Sequence, residues 1–131
     1  MFTYIAAAVA ALALSATAPA AMAEPEVQTI VATCTPTLNG EAGTPETCQV
    51  IVMQEQGLMG VGFVLQTSGS ALYLGVPNGQ GGVDVGAISV DDNSGGESPT
   101  VEATGSCAAQ GNVIVCTATV GTATLMVKAV A

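Results

Sequence analysis

The stretch Leu72–Glu97, LYLGVPNGQGGVDVGAISVDDNSGGE, decides the fold class. Leu72, Leu74 and Val76 alternate up to Pro77, Asn78-Gly79 and Gly81-Gly82 are turn dipeptides, and Val83, Val85, Ala87, Ile88 and Val90 resume the apolar pattern across Gly86. This reads as strand, tight turn, strand, then an acidic turn from Asp91 to Glu97. A period of two punctuated by glycine and proline belongs to a sheet and not to a helix. Two cysteines lie on each side of the stretch, Cys34 and Cys48 before it and Cys107 and Cys116 after it.

The flanking chain repeats the pattern. Upstream, Val27–Cys34 and Cys48–Gln54 are short β-branched strands, separated by a loop from Thr35 to Thr47 that Pro36, Asn39-Gly40, Gly43 and Pro45 punctuate. Glu55-Gln56-Gly57 turns the chain into Leu58–Thr67, the most apolar strand, and Ser68-Gly69-Ser70 turns it out again. In that strand Val61, Phe63 and Leu65 share one face; Gly60, Gly62 and Val64 share the other, which predicts close approach of a neighbouring backbone or a bend. Phe63 and Tyr73 are assigned to the core. Downstream come a short strand at Thr100–Thr104, a loop at Gly105–Asn112 carrying Cys107, and a hairpin of Val113–Val120 and Ala123–Val130 about Gly121-Thr122. About eight short strands with turn signals every eight to twelve residues, and no helical period, predict an all-β domain, an antiparallel β-sandwich or small barrel.

Residues 1–23 carry no charged side chain, run apolar from Ile5 to Leu14, and end in Ala21-Met22-Ala23, the small-x-small pattern of a cleavage site. They are read as a cleavable signal peptide, leaving 24–131 as a single domain that begins at Glu24. An uncleaved anchor is the alternative, but the apolar core is about ten residues, short of the roughly 20 that span a bilayer. Export places the four cysteines in an oxidising compartment, periplasmic or secreted, and an even number there reads as two disulfides. Of three pairings, Cys34–Cys48 and Cys107–Cys116 close the shortest loops. A four-thiolate zinc site is the alternative, and its close CxxC pairs are absent.

Composition narrows the function more by exclusion than by assignment. The net charge is −9, with Lys128 the only base. Such a chain cannot displace counterions from phosphates, so no nucleic acid is expected as partner, nor an anionic lipid surface. Histidine is absent, and with it the commonest general base and metal ligand. Phe63 and Tyr73 are the only aromatics after the leader, too few for sugar or base stacking.

The candidate sites are few. Asp91, Asn93 and Glu97 place oxygen ligands on one glycine-containing turn, a candidate calcium loop without EF-hand spacing. The competing reading is a solvated hairpin turn. Asp84, Asp91, Asp92, Glu97 and Glu102 supply carboxylates for a hydrolase pair, but little from which to build a cleft. A Ser–Lys dyad through Lys128 competes with a surface lysine. The glycines at 79, 81 and 82 lack the GK[ST] of a phosphate loop. No catalytic residue and no cofactor other than that calcium is expected.

The run LGVPNGQGGVDVGAISVDD, with its turn before a strand ending in Val90-Asp91, and the order of a strand ending in Cys34, a polar loop and Cys48 opening CQVIVMQEQ, resemble the invasion-associated locus B family. The resemblance covers Val27–Asp92. It implies an exported bacterial β-sandwich protein of the envelope linked to host-cell interaction, and it supplies no catalytic residues. The chain departs from the family pattern in lacking an aromatic near Val31 and in the wide spacing of Cys107 and Cys116. The expectation is a non-enzymatic exported envelope protein acting by protein–protein contact; the alternatives are a pilin-like structural subunit joined through strand edges, and a carboxylate hydrolase. Edman sequencing of the exported protein should begin at Glu24 and a thiol titration of it, denatured but unreduced, should find no free thiol; an intact Met1 with four reactive thiols would contradict both readings.

Overall fold

A computed structural model describes residues 26–92 and 99–131. Residues 1–23, read above as a leader, and the Asn93 and Glu97 positions of the acidic turn lie outside the described residues. The strands are β1 (Glu26–Leu38), β2 (Glu41–Ala42), β3 (Glu46–Glu55), β4 (Leu58–Leu65), β5 (Gly69–Pro77), β6 (Val83–Asp91), β7 (Thr100–Gln110), β8 (Val113–Val120) and β9 (Ala123–Val130). Apart from the two-residue β2, each strand pairs antiparallel with the next, and β9 returns to β1, closing an eight-strand up-and-down barrel. Of the two architectures the sequence allowed, the barrel is the one formed.

Turn chemistry sets the register. Asn39-Gly40 and Gln56-Gly57 have positive φ at both residues, the type I′ geometry whose twist matches paired strands. Gly111-Asn112 and Gly121-Thr122 have positive φ at the glycine alone, as type II′ turns require. In the longer β5–β6 turn, Asn78 Oδ1 accepts hydrogen bonds from the Gln80 and Gly82 amides at 2.9 and 3.1 Å.

With the register fixed, alternate residues point inward. Val50, Phe63, Tyr73, Val83 and Val127 are almost fully buried, and among the described residues no buried polar side chain lacks a partner. The Phe63 and Tyr73 rings meet edge to face, centroids 5.7 Å apart. Tyr73 then crosses the interior from β5 to β9, the diametrically opposite strand, and its hydroxyl donates to the Leu125 carbonyl at 3.0 Å. Both disulfides also sit inside, in the expected pairing. Cys34–Cys48 joins β1 to β3 on a diagonal, with a Cα separation of 5.8 Å; Cys107 and Cys116 face each other across β7 and β8 at 4.0 Å. Each closes a short loop, a stabilisation of about 3 kcal/mol in the chain-entropy picture.

Several boundaries differ from the sequence reading, among them that of Leu58–Thr67, which ends as a strand at Leu65. The Thr35–Thr47 loop is largely strand: β1 continues to Leu38, folds back through β2, and β3 begins at Glu46. Likewise Gly105–Asn112 is not a loop, because β7 runs through Cys107 to Gln110. Ser68-Gly69-Ser70 shifts as well, since β5 already begins at Gly69. Gly105 is what lets β7 pass so close to β8, for a Cβ there would overlap the Thr117 carbonyl oxygen. Replacing Tyr73 by Phe keeps the ring contact and removes the strut. The expected cost is about 1–2 kcal/mol in denaturant unfolding; an unchanged midpoint would show that the Leu125 carbonyl needs no such partner.

Candidate functional site

Among the described residues, the groups that could do chemistry are spent on structure or stand apart. Glu46, at the start of β3, folds its carboxylate over the β4–β5 turn. Its Oε1 accepts from the Thr67 amide at 2.6 Å, Thr67 Oγ1 at 3.0 Å and the Ser68 amide at 3.2 Å, and its Oε2 accepts from Ser68 Oγ at 2.5 Å. These donors, the Ser68 hydroxyl foremost, favour the ionised form and hold the carboxyl at about 2 against an ordinary 4.5. A carboxylate so saturated at neutral pH neither gives nor takes a proton. Burial pushes the Tyr73 phenol well above its usual range, so it stays a neutral donor to Leu125.

The other candidates scatter over the outer wall. Asp84 is exposed opposite Ser106, and Glu102 opposite Ala87, three residues further along β6 or roughly 10 Å. Both project from a convex surface and do not face each other across a cleft. Asp91 ends β6 opposite Ser70 and is half-exposed, while Asn93 and Glu97 lie outside the described residues, so the calcium loop is represented by its first ligand alone. Among the described residues no group of three or more His, Cys, Asp or Glu side chains is gathered to hold a metal ion. Lys128 points outward with Thr35 and Val115 as register neighbours, neither of them a serine, and it lies on a strand paired on both sides. All four cysteines are in disulfides, so none is a thiolate ligand.

Among the described residues, the interior shows small hollows and no ligand chamber. Two hollows of about 10 and 20 Å³ open at the barrel end where β1 begins, on either side of Ile114. Each has room for about one water molecule, against the several hundred Å³ that a bound metabolite needs.

What distinguishes the surface is the outer wall of β3, β4 and β5. Ile51 and Met53 of β3, and Leu72 and Leu74 of β5, point outward on either side of Gly60 and Gly62 of β4. Positions where glycine Cβ atoms would stand lie 3.2 Å from Leu74 Cδ2 and Met53 Cε at Gly60, and 3.5 Å from Leu72 Cδ1 at Gly62. The sequence reading expected a backbone or a bend against these glycines; the structure puts side chains there instead, forming a flat apolar strip outside the barrel. Val64 extends it, 43% exposed. No side chain on this strip is charged. The strip escaped the sequence reading because β5 is apolar on both faces. Alternation alone does not say whether Leu72 and Leu74 or Ala71 and Tyr73 turn inward, and it is the latter pair that does.

No family model, no curated protein and no solved structure matches the chain.

Glu46 generates a signed expectation. Its folded value is depressed below its unfolded one, so its contribution is full above pH 4.5 and is lost as the pH falls toward about 2. Thermal melts of Glu46→Gln should therefore show a lower midpoint than wild type at pH 7, a gap that narrows below pH 4.5 and closes near pH 2. A gap independent of pH would assign the loss to shape and not to charge.

Proposed function

We propose that this is a non-enzymatic exported protein of the bacterial envelope, periplasmic or secreted, that works by binding another protein through the outer face of its barrel. The carrying observation is the uncharged strip of Ile51, Met53, Leu72 and Leu74 over Gly60 and Gly62, on a chain otherwise rich in exposed carboxylates. Apolar area left on a wall and rimmed by charge is the signature of a contact surface. Among the described residues, the narrow interior hollows and the dispersal of reactive groups support contact over catalysis. The two disulfides support an oxidising compartment, as does the leader.

Sidedness speaks against insertion in a membrane. Membrane barrels are apolar outside and polar within. This barrel is apolar within and carries Asp84, Glu102, Lys128 and a series of threonines outside. The resemblance of Val27–Asp92 to invasion-associated locus B proteins agrees with an envelope role and suggests host-cell contact as its setting. The partner's chemistry follows from the rim: Glu55 borders Leu58, and Asp84 borders Val76, so an apolar patch edged with Lys or Arg fits best. Val64→Glu puts a charge on the strip at an exposed position. After in-cell crosslinking, the yield of the envelope partner should fall about tenfold, with the melting point little changed. An unchanged crosslinking pattern would contradict a contact through this face.

A further inference from the structure

We infer that two copies of the chain pair through the first half of β1, antiparallel across a two-fold axis near Thr29. A closed barrel should have no free strand edge, yet this one does. β3 pairs with β1 from Glu26 to Cys34, but β9 meets β1 only from Thr33 to Leu38. From Glu26 to Ala32, therefore, β1 has a strand on one side and, among the described residues, none on the other. The 10 Å³ hollow lined by Ile30, Ala32 and Asn112 opens along that bare side.

Natural sheets protect such edges by keeping them short or charged. The other overhangs follow the rule. Thr100–Ala103 of β7, beyond the reach of β8, is four residues long and carries Glu102; β2 is two residues long and carries Glu41. The β1 overhang does not. It is the longest of the three, and past Glu26 at its outer end it has no charged residue, although the chain carries −9. Its outward side chains include the most exposed valines of the molecule, Val31 at 67% and Val27 at 55%.

The register makes the segment self-complementary. With Thr29 opposite Thr29 of the second copy, Val27 lies opposite Val31 of the second copy, twice over, on one face. On the other face Gln28 meets Ile30. Such a contact is isologous, so it closes at two and does not propagate a filament. The charge argues for a copy of this chain in a specific way: two acidic barrels repel over most of their surface, whereas this edge carries only Glu26, at its outer end opposite Ala32 of the second copy. The area is small, so the dimer is weak, micromolar or weaker, and tightens as salt screens the repulsion. The inference adds a homotypic contact to the envelope reading above. It is tested on the purified protein alone, so its failure leaves that reading standing, and the loss of the envelope partner leaves this one standing.

The experiment is sedimentation equilibrium on the disulfide-intact protein up to about 1 mM, at about 0.02 M and about 0.5 M salt. The expected result is a monomer–dimer equilibrium that shifts toward dimer with salt. Thr29→Glu and Thr29→Lys, at an exposed site, should each raise the dissociation constant by about tenfold or more, because like charges then face each other across the axis. An equimolar mixture of the two should recover heterodimer, which misfolded variants would not. A monomer at every concentration, or a dimer that both single variants leave intact, would overturn the proposal.

Discussion

Closure of the barrel rests on the divided loyalty of one strand. β1 is shared between β3, along Glu26–Cys34, and β9, along Thr33–Leu38. Without the second pairing the chain is an eight-strand meander with two long edges and a one-sided core. With it, the inward faces of β5 and β9 come opposite each other and Tyr73 can reach the Leu125 carbonyl. The closure is reinforced just past the end of β1. Asn39 donates its amide to the Thr124 carbonyl and accepts from the Thr124 amide through Oδ1, both at 2.8 Å, so a side chain continues the ladder where the backbone turns away. A left-handed Asn followed by Gly is what the I′ turn needs, and here the same Asn also bonds to β9.

The small bore follows from the residues inside it. Alanine, valine and cysteine dominate the inward positions, and only Phe63 and Tyr73 are aromatic. A domain of about 100 residues with so few aromatics has limited area to bury. Two interior disulfides compensate, one where the chain begins its circuit and one near where it ends. Because both bridges link neighbouring strands, they fix β1 to β3 and β7 to β8. They leave the β1–β9 seam to hydrogen bonds and packing. The seam is therefore the part of the barrel that no covalent link guards, and its incomplete length leaves Glu26–Ala32 with no second strand among the described residues.

Much of this was legible in the sequence. Period-two alternation and glycine-containing dipeptides located the strands, and β8 and β9 fall where the pattern placed them. Cysteine spacing named both disulfides. Where the reading failed, one residue type outweighed its neighbours. Pro36 and the Gly40–Gly43 cluster suggested a loop, but Pro36 is accommodated near the closing seam, where its carbonyl accepts the Gly43 amide at 2.7 Å. Gly105 suggested a break and is instead a point of close strand approach. The apolar strip was less legible than the fold. Apolar residues on both faces of β5 leave the choice of inward face to tertiary packing, which the tyrosine wins because its ring fills the bore and its hydroxyl finds a carbonyl across it. The acidic turn, the sharpest chemical candidate in the sequence, has only its leading residues within the described part.

The seam is also where the account is most exposed to test. Cross-strand NOEs measured on the disulfide-intact protein report the pairing directly. The account predicts contacts between β1 and β9 in the register Thr33 with Val130, Thr35 with Lys128 and Thr37 with Met126. It further predicts that β1 residues before Thr33 show contacts to β3 and none to β9. Absence of the β1–β9 set, with contacts joining the β3 side of the sheet to a different strand, would mean an open sandwich. The strut, the filled bore and the bare β1 edge would all fall with it.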